Sequence, residues 1–295
     1  MSLHISFSPH HYAQAQTRGG RAYQEDSLAH QFGDGETTNS LAPRSTADTA
    51  VMVLADGMGG ENAGDHASQL AVSHFLAGFN AAPQTPMPQR LRGALDQANR
   101  AIADAVAADP ALQGMGCTLV ALAVAADKAH FISVGDSPLW HYRHGIPTRL
   151  NADHSMGGIL DEVARRGEIT QAMANESPHR HVLVSALTGE AIEHISETDG
   201  SISLLDGDVL LAASDGLLSL PAATRDQLVA TSATADDCAH GLIAAVEALG
   251  MPEQDNTSVQ LLFCQASRPF AHRWWVWLLA AGLGIGVGAG LYGLL

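Results

Sequence analysis

Cysteine is scarce in this sequence: its 295 residues include three, Cys117, Cys238 and Cys264. The number is odd, the spacing is wide and no CxxC pair occurs, which argues against a disulfide framework and against a zinc site. A reducing compartment fits this composition best.

Positive charge is also scarce. Lys and Arg number 15 against 31 Asp and Glu, which gives a formal net charge of −16. Nucleic acids and anionic membrane surfaces are bound through Lys and Arg, so this charge balance favours neither as a partner. The sequence lacks an HExxH, P-loop or GxSxG motif, and its first ten residues lack the basic start and apolar run of a signal peptide.

Apolar residues are plentiful, at 46%, and residues 274–295 contain no charged side chain. As a helix this segment would be roughly 33 Å long, against a hydrocarbon core of about 30 Å. Tryptophans open the run, and Arg268 and Arg273 precede it. The sequence therefore predicts a single-pass helix in the cell inner membrane, with the preceding domain in the cytoplasm.

Two further features bear on this helix. A buried C-terminal helix of a soluble domain is the alternative interpretation, but it would need apolar cover on every face. Gly282, Gly286 and Gly290 recur at every fourth position, a spacing that permits two membrane helices to pack closely and therefore favours a dimer.

Residues 1–267 predict one folded domain, joined to the membrane helix by a short tether at 268–273. Strands are predicted at 50–55, 117–125, 129–134, 139–143, 201–204, 209–213 and 258–264. Helices are predicted at 60–80, 91–108 and 234–249, with a helical excursion at 157–180 and loops at 33–49 and 81–88. Strands joined mostly without intervening helices indicate antiparallel sheets and an α+β class.

Four aspartates share a context at the ends of apolar strands. Asp56, Asp136 and Asp215 each follow such a strand, and Asp255 comes just before one. A single Asp-Gly after a strand is usually a turn. Several carboxylates converging at one place would repel each other unless cations lay between them. Oxygen ligands favour hard ions, Mg²⁺ or Mn²⁺.

These aspartates belong to an ordered series of motifs: RAYQED at 21–26, DGMGG at 56–60, GCT at 116–118, VGDS at 134–137, DHS at 153–155, SDG at 214–216 and DNTSV at 255–259. In this order and spacing the series resembles the protein phosphatase 2C family of metal-dependent serine/threonine phosphatases, over nearly all of residues 5–265. Met58 in DGMGG is typical of the bacterial branch.

The resemblance implies a four-layer α-β-β-α sandwich of two antiparallel sheets flanked by helices. It also implies roles for individual residues. Asp56 would bridge two metal ions, the Gly57 carbonyl would ligate one, and Asp215 and Asp255 would complete the set. Asp136, with Asp215, matches the position of a third, weaker ion.

Three more residues and one segment receive roles from the same resemblance. Glu25 and Asp26 would hold metal-bound waters, and Arg21 would grip the substrate phosphate through its guanidinium. The excursion at 157–180 corresponds to the flap beside the active site.

The sequence departs from the family pattern at two positions. Met58 cannot donate a proton, which leaves the general acid unassigned, and Pro138 replaces a common Arg.

The expected activity is hydrolysis of phosphoserine and phosphothreonine on proteins by a metal-bound water in a binuclear Mn²⁺ or Mg²⁺ site. The enzyme would oppose a membrane serine/threonine kinase, with forkhead-associated or secretion-system proteins as partners. The main alternative is a catalytically inactive scaffold or regulator, whose signature would be lost metal ligands. Phosphatases of anti-sigma-factor pathways and a purely structural membrane protein are further alternatives.

Overall fold

The computed structural model describes residues 11–32, 36–37, 49–59 and 63–265. The strands within them are β1 (Tyr12–Thr17), β2 (Asp26–Phe32), β3 (Glu36–Thr37), β4 (Thr49–Met58), β5 (Gly116–Cys117), β6 (Leu119–Ala125), β7 (Lys128–Val134), β8 (Leu139–Arg143), β9 (Ile146–Arg149), β10 (Ser196–Glu197), β11 (Ile202–Ser203), β12 (Val209–Ala213) and β13 (Thr257–Phe263). The helices are α1 (Ala63–Ala81), α2 (Met87–Ala108), α3 (Met156–Arg165), α4 (Gln171–Asn175), α5 (Ala222–Thr231) and α6 (Ala235–Glu247).

The strands form two sheets in which every described pairing is antiparallel. The smaller sheet has the order β1-β13-β12-β8-β9. The larger sheet has the order β10-β7-β6-β4-β2-β3, with β11 also on β7 and β5 also on β4. The predicted antiparallel α+β class is therefore confirmed.

Alternation along the strands explains the layers, because successive side chains of a strand point to opposite faces. In β4, Val51 and Val53 belong to a core cluster with helices α1 and α2, whereas Ala50 and Met52 belong to a cluster shared with the other sheet. In β13, Leu261 packs with α6 while Leu262 lies between the sheets. The order of layers is helix, sheet, sheet, helix.

Helix ends follow local chemistry. The Thr234 side chain accepts a hydrogen bond from the Asp237 N–H at 3.0 Å, as an N-cap should. Helix α6 ends at Glu247, and Gly250 follows with a φ of +60°. Helix α2 begins at Met87, so the predicted loop at 81–88 ends two residues early; proline is tolerated in a first helical turn.

Some elements were not predicted. Strands β1, β2 and β9 and helix α5 lacked a clear apolar pattern, and Glu36–Thr37 forms a strand inside the predicted loop at 33–49. The predicted excursion at 157–180 contains helices α3 and α4.

The predicted tether and membrane helix, residues 268–295, lie outside the described residues. Among residues 11–32, 36–37, 49–59 and 63–265, no helix has the length and apolar character needed to cross a bilayer.

Candidate active site

A cavity of about 680 Å³ gathers the predicted carboxylates from both sheets. Asp56 and Asp136 reach it from the larger sheet, and Asp215 and Asp255 reach it from the smaller one. The lining also includes Arg21, Glu25 and Gly57. Asp26 lies behind the cavity, directly opposite Asp56 in the register of β2 and β4.

Asp56 occupies a position where β4 changes partner, from β6 to the short β5. The strand continues to Met58, so Asp56 lies inside the strand, and the prediction that the strand ends before it was wrong. Thr118 holds the Asp56 backbone through two hydrogen bonds. Its Oγ1 accepts from the Asp56 N–H at 3.1 Å, and its N–H donates to the Asp56 carbonyl at 2.8 Å.

The backbone around Gly57 leaves no room for a side chain. A Cβ at this position would lie 2.2 Å from the Gly64 carbonyl oxygen and 2.7 Å from that of Glu25. The Gly57 N–H donates to the Glu25 carbonyl at 3.2 Å. Any side chain would therefore push apart β2, β4 and the first turn of α1, which together shape this wall of the cavity.

The Asp136 loop follows β7 and is held by Arg149 at the end of β9. The Arg149 Nη2 donates to the Asp136 carbonyl at 2.8 Å, and Nη1 lies 3.4 Å from Asp153 Oδ2. Gly135 turns the chain with a φ of +100°, which favours glycine. The Ser137 Oγ lies 2.7 Å from Thr118 Oγ1, so the loops bearing Asp56 and Asp136 are joined.

Asp215 and Asp255 are brought together by close contact between their chain segments. Gly216 has no room for a Cβ, which would lie 2.0 Å from the Asn256 carbonyl oxygen. The Ser214 Oγ accepts from the Ser258 N–H at 2.9 Å and donates to Asp26 Oδ2 at 2.8 Å. This serine connects the smaller sheet to the acidic residue of the larger one.

Asn256 organises the segment that carries Arg21 and Glu25, a role that the sequence did not reveal. Its Oδ1 accepts from the Glu25 N–H at 2.7 Å. Its Nδ2 donates to the carbonyls of Arg18 and Tyr23 at 2.9 and 3.0 Å. Asn occurred in the DNTSV motif, but nothing local to it indicated a partner more than 200 positions away.

Arg21 lies at the cavity mouth with about half of its side chain exposed. Its Nη2 is 2.6 Å from Asp255 Oδ2. A guanidinium has five donors in a planar fork, so one contact to a carboxylate leaves donors for a phosphate in the cavity.

The pKa values of the buried carboxyl groups in the site are raised. Burial, followed by repulsion from Asp26, Asp215 and other carboxylates, raises the pKa of Asp56 well above its ordinary value. The same two causes raise the pKa of Asp136 to about 7 and raise that of Asp215. Burial also raises the pKa of Asp26 to about 7, although the hydrogen bond from Ser214 opposes it.

These residues fit divalent cations held partly by water. In the described part of the chain, no three side chains of His, Cys, Asp or Glu are arranged to hold an ion by themselves. Mg²⁺ in proteins commonly uses one or two carboxylates and keeps several waters. The buried Asp26 Oδ1 has no hydrogen-bond partner, and an oxygen-only set of mutually repelling carboxylates matches hard cations.

Part of the cavity wall was not predicted. Ten of the lining residues belong to the segment 181–193, whereas none comes from 157–180, the predicted flap. Asn99 of α2 anchors this segment, because its Oδ1 accepts from the Gly189 N–H at 2.9 Å and its Nδ2 donates to the Glu190 carbonyl at 2.7 Å. Such long-range contacts leave no local pattern in the sequence.

His154 of the DHS motif and His66, which follows the DGMGG motif by six residues, do not line the cavity. His66 is exposed on α1. His154 is buried, with Nδ1 accepting from the Gly135 N–H at 3.2 Å and Nε2 lying 3.0 Å from Ser196 Oγ. Both nitrogens of its ring are therefore engaged, one with the Asp136 loop and the other with β10.

Comparison with known proteins gives a consistent result. The family model described as Protein phosphatase 2C matches residues 40–235. Asp56, Gly57, Asp136 and Asp215 lie inside the match, while Arg21 and the other predicted residues lie outside it.

The chain is similar to the serine/threonine protein phosphatase PstP of Mycobacterium tuberculosis, with 33% identity over 171 residues, which is 58% of this chain and 32% of that protein. The match thus spans about a third of the length of that relative. The serine/threonine phosphatase stp of Listeria innocua is 29% identical over 218 residues, 72% of this chain and 83% of that protein.

A solved structure extends the likeness to three dimensions. The catalytic domain of the serine/threonine protein phosphatase PstP in complex with two manganese ions superimposes with a TM-score of 0.66 at 29% identity. The superposition covers 85% of this chain and 96% of that one.

Proposed function

Because the chain belongs to the protein phosphatase 2C family, we propose that it hydrolyses phosphoserine and phosphothreonine in proteins with the help of two Mn²⁺ or Mg²⁺ ions. The observation that carries this proposal is the cavity where Asp56, Asp136, Asp215 and Asp255 converge, with Arg21 as the one Lys or Arg among the described residues that line it. A third ion beside Asp136 and Asp215 is part of the proposal.

The residues present suit this reaction. Asp56, Asp215, Asp255 and the Gly57 carbonyl would hold the two ions, and Glu25 and Asp26 would orient water around them. Bound divalent cations supply a nucleophilic water at neutral pH and offset charge on the phosphoryl oxygens. Arg21 would bind the phosphate and place phosphorus in line for attack.

An inactive scaffold is less well supported. Loss of metal ligands would mark such a protein, yet all four aspartates reach the same cavity. Burial and mutual repulsion, which together raise the pKa of Asp56, make the metal-free fold less stable at neutral pH. A protein with no use for cations would have no reason to keep this arrangement.

We also propose that residues 274–295 anchor the enzyme in the cell inner membrane, with the phosphatase domain in the cytoplasm. Support comes from the uncharged run with tryptophans at its start and arginines before it. Confinement to a surface raises the effective concentration of membrane substrates. A membrane serine/threonine kinase and its forkhead-associated or secretion-system targets are the proposed partners, and the glycine repeat favours a dimer.

Hydrolysis of a phosphothreonine peptide tests the activity. The full chain in detergent is assayed with Mn²⁺, with Mg²⁺ and with excess chelator, beside an Asp56→Ala variant. We expect metal-dependent phosphate release that is lost in the variant. Full activity in chelator, or none with either metal from a folded chain, would refute the proposal.

The anchor is tested separately by cell fractionation of the full chain and of a chain truncated before Trp274. We expect the full chain in the membrane fraction and the truncated chain in the soluble fraction. Recovery of the full chain in the soluble fraction would contradict the proposed anchor.

A further inference from the structure

Hydrolysis of a phosphoserine ester leaves one requirement that the cation-holding carboxylates do not meet. The leaving serine oxygen is a strong base and must receive a proton as its bond to phosphorus breaks. Met58 lines the cavity, but its thioether has no proton to give. Carboxylates that hold cations are deprotonated and cannot serve either.

One histidine lines the cavity among the described residues, and it is His181. The ring makes no hydrogen bond to any described residue, in contrast to His154, whose two ring nitrogens are both engaged. His181 is exposed at the cavity wall. It is therefore able to meet a substrate that enters from solvent.

The main chain on both sides of His181 is fixed. The Gly157 N–H donates to the Arg180 carbonyl at 2.7 Å, and the Met156 N–H donates to the Val182 carbonyl at 2.8 Å. The Val182 N–H donates in turn to the His179 carbonyl at 3.0 Å. These bonds attach the segment to the first turn of α3, so His181 is presented from a defined position.

His181 shares its cavity with Arg21 and Asp215. Burial and the charge of Asp255 raise the pKa of Asp215, and His181 and Arg21 both oppose this rise. A phosphate bound by Arg21 would therefore occupy the cavity that His181 lines.

We propose that His181 is the general acid that protonates the leaving serine or threonine oxygen, an inference that rests on the proposed phosphatase function. As water attacks phosphorus, the bond from phosphorus to the serine oxygen breaks and its electron pair stays on that oxygen. The protonated ring of His181 gives its N–H proton to the same oxygen. The products are a free hydroxyl and inorganic phosphate, and the ring regains a proton from solvent.

The test compares two leaving groups. A phosphothreonine peptide releases a basic alkoxide that needs a proton, whereas p-nitrophenyl phosphate releases a stabilised anion that does not. In the full chain with saturating Mn²⁺, His181→Gln should lower kcat on the peptide by about a hundredfold. It should lower kcat on p-nitrophenyl phosphate by less than about threefold, because that reaction lacks the proton requirement.

His179→Gln is the matched control, since His179 is an exposed histidine two positions away that is absent from the cavity lining. It should change neither rate. Calorimetric Mn²⁺ binding should be the same in both variants and the wild type, which separates proton delivery from damage to the metal site.

Several outcomes would overturn the inference. Equal losses on both substrates would indicate a structural or metal defect, no loss on the peptide would show that another group donates the proton, and a change confined to KM would make His181 a binding residue. If the wild type hydrolysed neither substrate with Mn²⁺, the proposed function would fail, and this inference with it.

Discussion

Two carboxylate clusters of this protein solve the same physical problem in opposite ways. The first is the Asp208 cluster, formed by Asp208, His141 and Arg143. Asp208 is 2% exposed and accepts two hydrogen bonds from Arg143, at 3.0 and 2.7 Å, and one from the Leu205 N–H at 2.8 Å. His141 Nε2 lies 2.9 Å away. Burial alone would raise the pKa of Asp208, but these partners lower it below its ordinary value.

The second is the cavity cluster of Asp56, Asp136, Asp215 and Asp255. Here burial and neighbouring carboxylates raise the pKa of Asp56, Asp136 and Asp215. The Asp208 cluster contains its own cation, Arg143, and is structurally complete. In the cavity cluster one ion pair, Arg21 with Asp255, serves four carboxylates, and this difference separates a structural ion pair from a site that needs cations from outside.

Substitution of Asp56 should cause the largest loss of activity, and substitution of Asp208 should not. Asp56→Asn should reduce hydrolysis of a phosphothreonine peptide at saturating Mn²⁺ by about a thousandfold or more. Metal ions supply several kcal/mol to such reactions, and about 1.4 kcal/mol corresponds to a tenfold change in rate. Asp208→Asn, compared per folded molecule, should retain the wild-type kcat, and a similar loss in both variants would contradict the distinction.

The same two substitutions should have the opposite ranking for stability, with Asp208→Asn the more damaging. Asp208→Asn should lower the free energy of unfolding by about 2 kcal/mol, because it leaves Arg143 and His141 without their buried anion; the partial exposure of Arg143 keeps the loss moderate. Asp56→Asn should instead stabilise the metal-free protein, because it removes a repelling charge. Guanidinium denaturation in chelator measures both, and destabilisation by Asp56→Asn would contradict the account of the cavity.

The pH dependence of metal-free stability sharpens the contrast further. The pKa of Asp136 is about 7 in the folded protein, against about 3.9 for an unfolded Asp. The folded state therefore binds this proton more tightly, and the associated stability, complete below about pH 4, is lost as the pH rises through 7. Between pH 5 and 7.5 the wild type should lose about 2.5 kcal/mol relative to Asp136→Asn.

The subtraction against Asp136→Asn removes the contributions of the other titratable groups, which the two proteins share. Denaturation curves in chelator at the two pH values provide the measurement. If the two proteins changed in parallel, the raised pKa of Asp136 would be wrong.

The smallest expected effect is on the Mn²⁺ dependence of activity, and it compares two arginines of the β8–β9 hairpin. Arg149 donates to the Asp136 carbonyl, whereas Arg143 binds Asp208. Arg149→Met should raise the Mn²⁺ concentration for half-maximal activity by about tenfold, since loss of a residue that orients a metal ligand commonly has this cost. Arg143→Met should leave the Mn²⁺ dependence unchanged while lowering stability, and an equal shift in both variants would show a general structural effect.

The sequence predicted the cavity cluster but not the Asp208 cluster. Asp56, Asp136, Asp215 and Asp255 were found because each lies beside an apolar strand, and that local pattern placed them at strand ends. Asp208 also borders a predicted strand, at 209–213, but it belongs to none of the ordered motifs, and its partners are not local, because Arg143 and His141 reach it across the pairing of β8 with β12.

The unpredicted parts of the fold share the same cause. Strand β2 has the sequence DSLAHQF, in which His30 and Gln31 are buried by the packing around them. The cavity wall at 181–193 is shaped by Asn99 from α2 and by the bond between Ser185 and His194. Local periodicity cannot indicate contacts that form only once distant segments have packed.

The central claim is that external divalent cations complete the cavity cluster, and calorimetric titration of the metal-free full chain with Mn²⁺ tests it most directly. We predict at least two ions per chain, protons released on binding at pH 7 because raised carboxyl pKa values fall, and loss of tight binding in Asp56→Asn but not in Asp208→Asn. Absence of Mn²⁺ binding by the folded wild type, or binding that Asp56→Asn leaves unchanged, would contradict the claim.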